Sequence, residues 1–396
     1  VSLPLAGLRV IAIEQYGAGP WGTSYLADLG AEVIKIENPA DGGDVGRSVG
    51  PHFFGPGDSQ FFQTFNRNKK SLTLNLKVPE AQRVLHDLAA TSDAVLDNLR
   101  GDIPAKLGLT YEVLGKANPR IVCAHLSAYG REGSRRTWPG YDYLMQAEAG
   151  LMSLTGEPDG PPTKFGVSIV DLVTGLTAAF ALLAAVTGAR ATGVGRDIDV
   201  SLYDVALHNL NYPATWYLNA GVVQGRESRS AHPSLTPSQL YRTGDGWIMI
   251  MCNKERFWGV LARELGHPEW IEDARFLDFA ARLAHRSEVT AVLEAVLTQR
   301  STAHWLERFA GKVPAAPVND VAQALDASFT AEQDRIGTFE YEDGRSARMV
   351  ENPVRPAGAD LPHDAAPGLG QHTDELLREL GYCAERIAEL KRQGAV

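Results

Sequence analysis

Cysteine is nearly missing from this 396-residue chain: Cys123, Cys252 and Cys383 are widely spaced and odd in number. Such usage excludes a disulfide scaffold and suits a reducing compartment, so a cytoplasmic protein is expected. No Cys/His spacing reads as a zinc site, and no metal is expected. Positive charge is also in deficit. With 38 Lys and Arg against 48 Asp and Glu the net charge is −10, and an acidic protein has no general attraction for nucleic acid or anionic lipid. Any anionic ligand must be met by local Lys, Arg or helix N-termini. No basic stretch followed by an apolar core opens the sequence, so no leader peptide is expected. The most apolar run, Leu172 to Val186, is interrupted by Thr174, Gly175 and Thr177. It reads as too short and too broken to span a bilayer, and the expectation is a buried helix. There is no G-x-S-x-G, hence no nucleophile elbow.

What remains is ordinary globular material, 44% hydrophobic and 22% charged, of a length that suits two domains or three. The first 130 residues alternate short apolar runs with amphipathic ones. Strands are expected at Leu8 to Ile13, Glu32 to Glu37, Ser71 to Leu76, Ala94 to Asp97 and Ile121 to Leu126. Helices are expected from Pro20 to Leu29 and from Pro79 to Ala90. This βαβ rhythm predicts an α/β fold with a Rossmann-like parallel sheet in a large domain. Residues 1–219 are assigned to that domain, 220–325 to a smaller α+β domain, and 326–396 to a segment returning to the large one.

Gly17-Ala18-Gly19-Pro20-Trp21-Gly22 matches G-x-G-x-x-G between a strand and a helix, and Glu37 ends the next strand. Alone, this is the dinucleotide fingerprint, and an NAD-dependent oxidoreductase is one reading. The other is a tight turn that needs glycine for its backbone.

A longer series of short motifs points elsewhere. It comprises Leu5-Ala6-Gly7-Leu8-Arg9-Val10, Ala18-Gly19-Pro20, Leu29-Gly30-Ala31-Glu32-Val33-Ile34-Lys35-Ile36-Glu37, Asn66-Arg67-Asn68-Lys69-Lys70-Ser71, Leu74-Asn75-Leu76-Lys77, Asp97-Asn98-Leu99, Gly140-Tyr141-Asp142, Asp171-Leu172-Val173-Thr174-Gly175, Thr192-Gly193-Val194-Gly195 and Gly370-Gln371-His372-Thr373. In this order and spacing the sequence resembles the class III CoA-transferases, which include formyl-CoA and carnitine CoA-transferases.

The resemblance implies a large Rossmann-like domain, a small domain, an interlocked homodimer, and an aspartate acylated during turnover. By motif match that aspartate is Asp171. The substrates implied are an acyl-CoA, for which succinyl-CoA is the donor named, and a small carboxylic or dicarboxylic acid. Coenzyme A is then a substrate thioester, with no tightly bound cofactor. Motif match places CoA contacts on Leu74, Asn75, Leu76, Lys77, Asn98, Leu99, Arg100, Lys106, Tyr141 and Asp142, and an active-site turn on Gln15, Gly17 and Ala18. An Asp opening an apolar helix is most often an N-cap, and that role stands beside the catalytic one. A non-catalytic CoA-binding protein is a further alternative.

Tyr141 separates transferase from the sister α-methylacyl-CoA racemases, which carry His there. An ordinary Tyr, with a pKa near roughly 10, is a poor proton shuttle at neutral pH. Gly17 replaces the Gln that formyl-CoA transferases have, and Ala231 to Leu235 replaces their glycine run; both argue against formyl specificity. Asn38 stands where a basic residue is usual. Arg226, Arg229 and Arg242 are candidates for a second carboxylate, and His125 for the cleft wall. His232 reads as either a contact to the acceptor carboxylate or a loop end.

Overall fold

The structure is a computed structural model and describes residues 2–396. Two compact units emerge. One comprises residues up to Ala149, Gly166–Leu210 and Asp334–Val396; the other comprises Gly150–Phe165 and Asn211–Gln333. The second unit thus begins nearer Asn211 and takes in residues 150–165, a segment assigned above to the large domain.

The first unit is built on six strands: β1 (Arg9–Ile13), β2 (Glu32–Glu37), β3 (Lys70–Thr73), β4 (Ala94–Asp97), β5 (Val122–Ser127) and β6 (Arg196–Ser201). Their order is β3-β2-β1-β4-β5-β6 and every pair is parallel. Parallel strands buried on both faces read as continuous apolar runs, and Val10 to Ile13 is such a run, buried throughout. Helix α1 (Ala18–Asp28) joins β1 to β2, and α2 (Pro79–Ala90) joins β3 to β4. Ala81, Val84, Leu85 and Leu88 of α2 pack with Leu376, Leu377, Ile387 and Leu390 near the C-terminus. The expected α/β fold with a parallel sheet is what the chain adopts.

The short helix α3 (Asp142–Glu148) precedes α4 (Ile169–Thr192). At 24 residues, α4 is long and apolar enough in length and composition to cross a membrane, which corrects the expectation of too short a segment. The expectation of full burial is corrected too. Thr174, Gly175, Ala178, Ala179, Leu182 and Val186 face inward, whereas Phe180 is 74% exposed and Leu176 is also exposed. The small residues that interrupt the run form the packed face, because they let another helix come close.

The second unit carries its own sheet, β7 (Ser238–Arg242), β8 (Trp247–Met251) and β9 (Ala315–Pro317), antiparallel in the order β9-β8-β7. Tyr241, Ile248, Trp258, Phe276 and Trp305 fill its separate core.

Candidate active site

In an open parallel sheet, ligands bind beyond the C-terminal strand ends where the strand order reverses. Here that point lies between β1 and β4. The chain leaves β1 through Gln15 to Gly17 and leaves β4 through Asn98 to Arg100. Asn98 ties the two exits together: its Oδ1 accepts the Gln15 N–H at 2.9 Å and its Nδ2 donates to the Gln15 carbonyl at 2.7 Å. The Asn98 amide, expected to meet CoA, is therefore engaged with the turn.

The three glycines of the G-x-G-x-x-G stretch serve protein contacts rather than a pyrophosphate. A Cβ on Gly17 would lie 3.1 Å from Asp171 Oδ2, one on Gly19 3.0 Å from the Asn98 Cβ, and one on Gly22 2.3 Å from the Gly175 carbonyl oxygen. Conversely, a Cβ on Gly175 would lie 2.2 Å from the Ala18 carbonyl oxygen. Helices α1 and α4 thus touch backbone to backbone, which brings Asp171 in the first turn of α4 against the first turn of α1. Glu37, the supposed ribose ligand, is buried and fully engaged. It accepts from Arg47 Nε at 2.8 Å, Arg47 Nη2 at 2.7 Å, Ser71 Oγ at 2.6 Å and the Asp44 N–H at 3.0 Å. The dinucleotide reading fails on this residue.

Asp171 is the third residue of α4, whose N-cap is Ser168. Its carboxylate caps nothing and accepts no hydrogen bond from the described residues. The capping role expected of such an Asp is thereby excluded. Its own N–H is held at 3.0 Å by Asp142 Oδ2, while Asp142 Oδ1 accepts from Gln146. Asp142 is buried beneath the site rather than presented to a ligand. Burial first, and the Asp142 charge second, push the Asp171 pKa up to about 7. A carboxylate with no donors in a dry setting favours its neutral form, and once ionised it is a poorly solvated, reactive nucleophile.

Gln15, Gly17, Ala18, Asn98, Leu99, Arg100, Tyr141 and Asp171 all line one cleft of about 480 Å³. Leu74, Asn75, Leu76 and Lys77 line a second cleft, of about 240 Å³, that shares Gln15 and Leu99 with the first. Asn38 lines it too, its side chain turned to Ala40 and Asp41. Lys106 lines neither; it pairs with Asp102, which also takes Arg100. His125 is not a wall of the cleft. It is buried, with Asp97 at 2.6 Å and Asp197 at 2.9 Å on its two ring nitrogens. Burial works against its charge, but the bonds to Asp197 and Asp97 prevail and lift its pKa to about 9. In the second unit, Arg226 donates to the carbonyls of Gly160 and Pro161 and Arg229 pairs with Glu294. There too, His232 Nδ1 accepts the N–H groups of Ser234 and Leu235, as a loop end does.

Sequence reasoning missed Tyr16, Val45 and Trp138, which also line the larger cleft. Trp138 lies three residues before Tyr141, a proximity that was there to be read. Tyr16 and Val45 give no signal in their residue type.

The strand order is that of the Rossmann-like α/β folds, with the G-x-G-x-x-G stretch spent on contacts within the protein. The chain belongs to CoA-transferase family III, whose model matches residues 5–373. It is similar to the succinate–glutarate CoA-transferase of Agrobacterium fabrum, 34% identical over 95% of this chain and 96% of that one. It is also similar to the acetyl-CoA:oxalate CoA-transferase of Acetobacter aceti, 35% identical over 95% of both chains. The crystal structure of a CaiB/BaiF family protein from Brucella suis superposes with a TM-score of 0.83 at 34% identity, covering 96% of this chain and all of that one.

Proposed function

We propose that this enzyme moves CoA from an acyl-CoA, with succinyl-CoA the first donor to test, to a dicarboxylic acid through intermediates on Asp171. The observation that carries the reading is the Asp171 carboxylate itself. Among the described residues it has no hydrogen-bond donor, and it stands in a cleft against a helix N-terminus. A carboxylate oxygen attacks the thioester carbon, the C–S bond breaks, and CoA thiolate leaves a mixed anhydride. The thiolate then attacks the aspartyl carbonyl, freeing the donor acid and leaving an aspartyl-CoA thioester. The acceptor carboxylate attacks that carbonyl and displaces thiolate, which finally takes the acceptor acyl group and restores Asp171. No net proton and no ATP are needed. The N–H groups of the first turn of α1 lack intrahelical acceptors and suit the oxyanions formed at each step.

Dicarboxylate acceptors fit the glutarate and oxalate in the relatives' names. A racemase has less support. It needs two acid–base groups on opposite faces, whereas among the described residues lining this cleft Asp171 is the only carboxylate and there is no histidine. The test is mass spectrometry after incubation with succinyl-CoA and trapping with hydroxylamine or borohydride. Modification at Asp171 that disappears in Asp171→Asn supports the reading. Turnover with no such adduct would overturn it.

Leu74 to Lys77 and Leu99 are proposed to hold the nucleotide end of CoA, with Arg100 and Lys106 near its phosphates. Asp102 occupies both cations, so Asp102→Asn is expected to lower KM for acyl-CoA about threefold, as exposed ion pairs are weak competitors. The gain should shrink as salt rises, which steady-state kinetics at two ionic strengths would read.

We propose a homodimer and a cytoplasmic location. The apolar residues Leu176 and Phe180 on α4 support the first, and analytical ultracentrifugation giving only the 42.9 kDa species would refute it. The three free cysteines support the second. Fractionation that finds the protein outside the cytoplasm would count against it.

A further inference from the structure

Under the turn at Gln15 to Gly17 lies a sealed group of four charges that the reaction does not use. The side chains of Glu14, Lys35, Asp44 and Lys69 are wholly buried. Burying four charges is costly unless each is paired and hydrogen-bonded, so their partners show what they hold. Lys69 Nζ reaches Glu14 Oε1 at 2.8 Å, the Pro20 carbonyl at 2.9 Å and Asn66 Oδ1 at 3.1 Å. Lys35 Nζ donates to the Glu14 carbonyl at 2.9 Å and lies 2.8 Å from Asp44 Oδ2. The other oxygen of Asp44 leads out of the cluster. Its Oδ1 accepts the Gly46 N–H at 2.8 Å and the Tyr16 N–H at 3.0 Å.

Tyr16 sits in the left-handed region, at φ 68°. For a residue with a bulky side chain this conformation is strained and persists only where the surroundings impose it. The surroundings are specific. Asn98 fixes both backbone groups of Gln15 on one side. On the other, Gly17 lies so near Asp171 that a Cβ on it would come within 3.1 Å of Asp171 Oδ2. Tyr16 is the hinge between them, and its N–H is the group Asp44 takes. Its ring, 5.0 Å from that of Phe61, is partly exposed in the cleft.

We infer that Asp44 is a positioning residue for CoA transfer. Braced by Lys35, it holds Tyr16 left-handed through the Tyr16 N–H, and so keeps Gly17 and the first-turn N–H groups of α1 aimed at the carbonyl reacting beside Asp171. This rests on Asp171 being the acylated residue. It adds a group that lines the smaller cleft but not the one that holds Asp171, and that acts on the reacting centre only through the Tyr16 backbone. The residue types carry a consequence: an amide oxygen at position 44 can still accept the Tyr16 N–H, whereas a methyl cannot.

Replacing Asp44 alone would strand the Lys35 charge, so the test uses two charge-neutral pairs, Asp44→Asn with Lys35→Met and Asp44→Ala with Lys35→Met. The Asn pair is expected to keep kcat within about threefold of wild type, and the Ala pair to lose about thirtyfold, the effect of one lost orienting hydrogen bond. KM for succinyl-CoA should move less than threefold in both. Equal kcat in the two pairs, or a loss confined to KM, would overturn the proposal. Backbone hydrogen exchange on the wild-type protein gives an answer even if neither pair folds. The Tyr16 amide should be protected despite its place in an exposed turn, and exchange at the rate of an open loop would overturn the proposal. Adduct mapping on the wild type reports on Asp171 separately, so failure of the function and failure of this inference can be told apart.

Discussion

Asp171→Asn is expected to reduce CoA transfer by a factor on the order of 10⁴ to 10⁶, the scale seen when a covalent nucleophile is removed. The amide fills the same space and keeps the Asp142 bond to the backbone N–H, so the loss would be chemical rather than structural. The same carboxylate sets a pH dependence. Its pKa is pushed up to about 7 by burial and by Asp142, and attack requires the ionised form. In the wild type, kcat/KM for the acyl-CoA should therefore rise about tenfold per pH unit below 7 and level off above it. Stability runs the other way. The unfolded carboxyl ionises near roughly 4, while the folded one keeps its proton up to about 7. Between these values the folded state binds the extra proton, so stability falls as pH rises, and above 7 the loss is complete at roughly 4 kcal/mol as an upper figure. Asp171→Asn has no carboxyl to ionise. At pH 8 it should melt at a higher temperature than wild type, with the difference vanishing near pH 4. A dead variant that melts lower at pH 8 would mean that Asp171 supports the fold, and the nucleophile reading would lose its physical basis.

Much of this site was legible in the sequence because its pieces are local. The strand runs Val10 to Ile13 and Val33 to Ile36 announce a parallel sheet, and the motif around Asp171 places a carboxylate at the start of a long helix. What was not legible is who touches whom. Asn98 and Asp142 carry the right residue types for ligand contacts, yet the fold turns Asn98 onto the Gln15 backbone and Asp142 under Asp171. Asp44 lies in a polar, glycine-containing stretch with nothing to mark it. Its role arises from a left-handed Tyr16 and from Lys35, which a strand pattern shows only as one polar residue in an apolar run. The G-x-G-x-x-G stretch was open to two readings because close backbone approach is all that such a motif encodes. Whether the backbone approaches a pyrophosphate or another helix depends on α4, more than 140 residues on.

That helix contact carries the second large effect. Gly175→Ala is expected to destabilise the protein by about 1–3 kcal/mol and to lower kcat about a hundredfold. An added Cβ would sit 2.2 Å from the Ala18 carbonyl oxygen and 3.0 Å from the Gly22 nitrogen. Both are backbone atoms, so no side chain can swing aside and the two helices must separate by about 1 Å. Overpacking of this kind costs about 1–3 kcal/mol, occasionally more. A shift of about 1 Å between nucleophile and oxyanion donors costs about a hundredfold in rate. Gly22→Ala meets the same contact from the other side, 2.3 Å from the Gly175 carbonyl oxygen, and should behave alike. Because both variants force the same separation, the double variant should cost less than the two singles added. Gly188, on the same helix, provides the contrast, since a Cβ there meets nothing within 4 Å. With no clash to offset the better helix propensity, Gly188→Ala should stabilise by up to about 1 kcal/mol and leave turnover unchanged. Denaturant unfolding and kcat measured on all four variants would separate these outcomes. Wild-type turnover in Gly175→Ala would mean that the spacing of α1 and α4 does not govern the chemistry, and that Asp171 reaches the thioester without help from the turn.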